Sequence, residues 1–417
     1  VPGQPASKKR PSIVLSGVFP TLIILVLVSV VCIVLVVRQW PQPISQKAVE
    51  VARPQPLQGP GGIAFAPLHL PTTYTVVYEQ AQGIFLQSAT STHALETPGY
   101  RYNRAVTPLL TPTHELIYSG AGIWITDLTA GHPRQLAALP PGQIITSLAL
   151  SADGKTLAWS SAPEVGTGDV AIYAGPLDVP AHIVRVYQHA ASQCPCFRVF
   201  SFLHASTTTL LLTNDQGDHR VVQYGLWLFD LTAQPRPLFS STVQQGPLLL
   251  APQTDTLLYA SYEGFVPTPD RGVPADIASL NYANSLVVAS INSAQNSLQG
   301  QRVLLPEQQA LSGPAAYRWV ATPQFSADGH TLAYAEFSSG DRLPFARHYA
   351  VYSLSLAGDP HLLATASAQY IELGPWINDQ ILTFYADNAL YALDVQHAAL
   401  ATIARTGSYA HIISVVE

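Results

Sequence analysis

Short runs that alternate apolar and polar residues recur along most of the chain, each cut off by Gly, Pro, Asn, Asp or Ser. Period-two runs of this kind, about four to eight residues long and bounded by turn residues, predict half-buried β-strands. One type of run is strongly apolar and usually ends on an aromatic ring: Val76–Tyr78, Leu116–Tyr118, Leu157–Trp159, Leu210–Leu212, Leu257–Tyr259, Leu332–Tyr334 and Ile381–Phe384. A further strand is predicted after each, at Ile84–Leu86, Ile123–Ile125, Val170–Tyr173, Leu226–Phe229, Leu286–Val288, Tyr349–Tyr352 and Ala389–Tyr391. Most units close with one more apolar stretch, as at Arg134–Leu136, His182–Val184, Pro237–Phe239, Arg302–Leu304 and His361–Leu363. Four strands repeated about every 40–50 residues is the spacing of propeller blades. Seven units are counted; six or eight remain compatible, because the first and last are the least regular. The run His411–Val416 is expected to pair with the first unit and close the ring. An open sandwich or two stacked β domains is the alternative architecture.

Two units are near-copies. Leu148–Ser161 reads LALSADGKTLAWSS and Pro323–Asp341 reads PQFSADGHTLAYAEFSSGD. In each, Ser-Ala-Asp-Gly supplies turn chemistry: Asp bonds the local backbone, and Gly accepts positive φ. These segments resemble the WD40-like (PD40) repeat of the TolB-type β-propellers, with Ala152 and Ala327 where that repeat usually has Pro. The resemblance implies an all-β propeller and brings no catalytic residues with it. Pro67, Pro108, Pro323 and Pro375 are read in or near first strands of units, the edge where a residue without an N–H is tolerated.

Composition narrows the setting. Charged residues are 11% of the 417, against about 25% in an average soluble domain. The net charge is −6 and no basic stripe crosses the repeats, which argues against nucleic acid as a partner. Methionine is absent, an initiator included, so a processed or truncated start is expected.

Residues 13–37 carry no charge and are long enough to cross a bilayer as a tilted helix. Lys8, Lys9 and Arg10 precede the run, and Arg38 and Trp40 follow it, so the positive-inside rule puts residues 1–12 in the cytoplasm and the repeats outside. A signal peptide would have a shorter apolar core and a small residue before the cleavage point. Cys32 lies in a weak lipoprotein-like box, but Val31 occupies the position that needs a small residue. The organisation read here is therefore a basic tail (1–12), a membrane anchor (13–37), a Pro-rich linker (38–62) and a propeller (63–417) in the cell membrane, facing the extracytoplasmic side. The linker holds Pro41, Pro43, Pro54, Pro56 and Pro60.

Candidate chemistry sits where the repeat is interrupted. The connections between second and third strands are tight in units one, two and seven. They are expanded in the other four, at 160–169, 214–225, 261–285 and 336–348. Insertions on one face of a rigid scaffold suit a binding surface, although loops also accept neutral insertion cheaply. These loops carry Glu164, Asp169, Asp215, Asp218, His219, Asp270, Arg271, Tyr282, Asp341, Arg342 and His348. Carboxylates mixed with arginines and aromatics suit a protein, peptide or glycan partner. An acid/base pair acting on a sugar or lactone, as a hydrolase or lyase, is the alternative. No segment spells an ordered calcium loop, so no metal or cofactor is assigned. Cys194-Pro-Cys196 reads as a disulfide or a soft-metal pair. No Ser-His-Asp set and no G-x-S-x-G occurs.

Overall fold

The computed structural model describes residues 55–103, 106–129, 131–165, 168–192, 196–204, 206–214, 223–261, 285–306, 318–338, 347–368 and 370–416. The apolar span 13–37 lies outside them, and among the described residues no helix is long and apolar enough to cross a membrane. All seven second-strand runs and all seven third-strand runs lie within strands that pair antiparallel as neighbours.

The strands form a seven-bladed β-propeller. Blade three shows the unit in full: Gln143–Leu150, Thr156–Pro163, Asp169–Pro176 and Val184–Ala190, in that order across the sheet. Blades four and five share one sheet, because the strand Arg236–Leu250 ends the first and begins the second. Blade one is closed as the sequence predicts: His411–Val416 is its first strand and pairs with Thr75–Gln80.

Each blade buries both faces against its neighbours. Among the described residues the apolar core divides into seven clusters, one at each blade-to-blade contact. Tyr118 and Val77 mark the one between blades one and two; Phe384 and Phe337 mark the one between six and seven. The repeat motif explains the packing. The aromatic residue that ends a second-strand run faces a third-strand aromatic ring in register, and the two rings stack. Trp159 lies on Tyr173 with centroids 5.1 Å apart, and Tyr334 on Tyr352 at 5.3 Å. Tyr78–Phe85, Tyr118–Trp124 and Phe384–Tyr391 repeat the arrangement. Stacked pairs of this kind add about 0.5–1.5 kcal/mol beyond the area they bury.

The two Ser-Ala-Asp-Gly turns are built alike. Ser151 Oγ donates to Asp153 Oδ1 at 2.6 Å, and the Lys155 amide donates to the same oxygen at 3.0 Å. Ser326 and the His330 amide do the same for Asp328, at 2.5 and 2.9 Å. Gly154 has φ +70° and Gly329 φ +72°, a conformation that disfavours any side chain. These turns join first to second strands, so they lie on the face opposite the second-to-third connections.

Proline placement is mixed. Pro323 and Pro375 sit at register shifts in the first strands of blades six and seven, and Pro108 directly precedes that of blade two. Pro67 belongs elsewhere. Ala66–Pro67 pairs parallel with the outermost strand of blade seven, and Gln55–Gln58 with the outermost strand of blade six. Part of the segment read as a linker therefore lies along the propeller's outer edges. Two unpaired strand edges attracted it, and no short-range pattern in 55–67 announces them.

Candidate functional site

The second-to-third-strand turns and the blade-to-blade connections open on one end, here called the upper face. A groove of about 300 Å³ lies there between blades two and three. Arg101 and Asn103 reach it from the connection between blades one and two. Pro140 comes from the next connection, Gln143 and Ile144 from the start of blade three's first strand, and Glu164 from the blade-three hairpin.

Local chemistry makes the groove rigid. Leu139-Pro-Pro-Gly-Gln143 folds as a type II turn: the Gln143 amide donates to the Pro140 carbonyl at 3.2 Å, and Gly142 has φ +76°. The Glu164 amide donates to the Gly142 carbonyl at 2.8 Å, tying the blade-three hairpin to this turn. The groove's floor at Gly120 is packed too closely for a side chain, since a Cβ there would meet the Gly99 carbonyl oxygen at 2.2 Å.

Three of its polar groups have no partner among the described residues. Gln143 Nε2 donates to the Asp169 carbonyl at 3.3 Å, but its buried Oε1 has no hydrogen-bond partner. Arg101 and Glu164 are exposed, and neither makes an ion pair or side-chain hydrogen bond among the described residues. Exposed apolar surface borders them at Ile144, 36% accessible, and Val165, 81%.

The predicted site residues are distributed unevenly. Glu164 and Asp169 flank one short hairpin, because the strands of blade three extend into the segment read as a long loop. Asp169 accepts a hydrogen bond from Gln188 across the sheet. Cys196 is half-buried just before blade four's first strand. Its amide donates to Asn214 Oδ1 at 2.9 Å, and its Sγ lies 3.5 Å from the Ala191 carbonyl. His348 is exposed at the start of blade six's third strand, three blades from Glu164. Asp215, Asp218, His219, Asp270, Arg271, Tyr282, Asp341, Arg342 and Cys194 lie outside the described residues.

A second polar cluster, absent from the sequence reading, joins the upper ends of blades seven, one and two. His411 Nδ1 meets Glu372 Oε1, and Tyr409 Oη donates to Glu372 Oε2. Tyr100 Oη donates to Glu79 Oε2 at 2.5 Å, and Glu79 pairs in register with His411. Glu79 is fully buried. Gln80 Nε2 reaches Ser408 Oγ at 2.9 Å and the Thr406 carbonyl at 3.0 Å. Burying carboxylates without partners is expensive, and here tyrosine and histidine supply them at the join between the chain's two ends. The available signal was a glutamate following an apolar run, in Val76-Val-Tyr-Glu79 and Tyr370-Ile-Glu372.

A second cavity, about 430 Å³, lies among the first strands of blades one to four and is lined by Leu110, Leu148, Leu150, Phe200, Ser151 and Ser414. It contains none of the predicted site residues.

No family model and no curated protein matches the chain. Among solved structures it is similar to an oligogalacturonate lyase from Vibrio parahaemolyticus, at 11% identity and TM-score 0.48, over 82% of this chain and 88% of that one. It is also similar to a periplasmic gluconolactonase from Pseudomonas aeruginosa, at 12% identity and TM-score 0.47, over 79% and 95%. A protein of unknown function from Desulfotomaculum acetoxidans matches at 11% identity and TM-score 0.47, over 81% and 98%. Likeness at this level carries no argument about activity.

Proposed function

We propose that this chain is a membrane-tethered binding or scaffold module. Residues 13–37 anchor it, 38–54 space it from the bilayer, and the upper face of an extracytoplasmic propeller takes a protein, peptide or glycan partner. The observation that carries the reading is the groove between blades two and three. It is a preformed concavity in which a cation, a carboxylate and a buried amide oxygen have no partner among the described residues. Unmatched polar groups on a rigid wall are what a ligand completes.

The strand registers support the same face. Ser261 and Ser285 are direct partners in blade five, so a tight turn would complete that hairpin, yet the chain places 262–284 between them. A hydrolase or lyase would need two carboxylates poised about one bond. Of the predicted ones that are described, Asp169 is engaged by Gln188 and Glu164 is exposed in the groove.

The test is capture of partners from detergent-solubilised membranes. Replacing 262–284 by a four-residue turn leaves the melting curve unchanged and sharply reduces capture, and Arg101→Glu reduces it as well. Undiminished capture by both variants would remove the upper face from consideration.

A further inference from the structure

We propose that the groove between blades two and three binds a short peptide with free ends: Arg101 holds the carboxylate, Glu164 holds the ammonium group and Gln143 Oε1 receives a peptide N–H. This deepens the binding-module reading and rests on it.

Among the described residues the groove offers a cation and an anion without ion-pair partners, on two different elements of its rim. A purely anionic ligand such as a uronate satisfies Arg101 but brings like charge towards Glu164. A polyamine has the reverse fault. A zwitterion satisfies both. Gln143 also lines the groove, and its buried Oε1, without a partner among the described residues, calls for a donor such as a peptide N–H. Leu139, Pro140 and Ile144 add apolar lining that suits small side chains. A cavity of about 300 Å³ is at the low end for ligand sites, which favours a ligand of two or three residues. The Pro-Pro-Gly turn and the Glu164–Gly142 bond fix the backbone at Gln143 and Glu164 before binding, which lowers the ordering required there.

The probe is trialanine, titrated calorimetrically into the full chain in detergent, with its N-acetyl and C-amide forms and digalacturonate as comparators. Free trialanine should bind saturably, and blocking either end should weaken it roughly fivefold or more, the effect of losing about 1 kcal/mol of exposed ion pairing. Arg101→Gln should abolish discrimination against the C-amide, and Glu164→Gln discrimination against the N-acetyl form. Both side chains are exposed, so neither variant threatens the fold. Equal affinity for all three peptides, or no saturable binding, overturns the proposal. Digalacturonate binding that Arg101→Gln removes would also overturn it, by assigning the groove to an acidic glycan, while leaving the binding-module reading intact. If trialanine fails and partner capture is still lost on shortening 262–284, the peptide site falls alone.

Discussion

Two aspartates at equivalent positions show how a repeat preserves one device. Hydrogen bonds from Ser151 and the Lys155 amide hold the Asp153 carboxyl below its ordinary range; Ser326 and the His330 amide do the same for Asp328. A carboxylate whose folded pKa is depressed contributes stability above its unfolded value of about 3.8 and loses that contribution as pH falls through the folded value. Asp328→Ala should therefore lower the melting midpoint at pH 7 by on the order of 1–2 °C. The gap to the unsubstituted chain should begin to narrow as pH falls below about 3.8 and go on narrowing as pH falls through the lower folded value, where the native carboxylate is protonated too. Thermal melts of both proteins between pH 3 and 7 check this, and a gap that is constant across the range contradicts it. Asp328 also accepts nothing beyond its own turn, but its amide donates to Asp379 of the next blade at 2.9 Å, as the His204 amide does to Asp255 at 2.7 Å. The backbone half of this link survives the substitution.

Among elements, the unit of stability is the cross-strand ring pair. Tyr334 is 1% accessible, stacks on Tyr352 and packs in the core between blades five and six with Leu258 and Leu286. Tyr334→Ala removes the stack and leaves a cavity, for a loss of about 3–5 kcal/mol. Chemical denaturation should show it as a lower midpoint with an unchanged slope. A loss below about 1 kcal/mol would mean that blade six yields independently of its neighbours. The distinction matters because blades four and five, joined through Arg236–Leu250, form one seven-stranded sheet and should unfold together.

The whole molecule is closed by its last strand. His411–Val416 completes a sheet begun by Thr75–Gln80, and the His411–Glu372–Tyr409 cluster ties blade one to blade seven beside it. Closure leaves an autonomous propeller whose proposed tether is 38–54, with three prolines and no repeat motif. Protease added to intact cells should cut this tether and release a fragment holding all seven blades, read by mass. Complete protection in intact cells, with cleavage only after lysis, would overturn the extracytoplasmic orientation.

Strand content, the turn motif and the number of units were legible in the sequence, because they depend on local periodicity and on residues that dictate their own turns. Closure by His411–Val416 was legible for the same reason: an apolar strand left over at the end of a repeat array needs an edge. Half of the groove was legible. Glu164 was marked by its place in an interrupted repeat, but Arg101 and Asn103 lie in a connection with no repeat signature and Gln143 at the very start of a strand, and only the packing of blade two on blade three brings them to one rim. The Glu79 and Glu372 cluster was hidden likewise, since its members are separated by most of the chain and meet only when the ring closes. Periodicity is a property of neighbours along the chain, and it determined the blades. A site is a property of neighbours in space, and here it was decided by which blade edges meet.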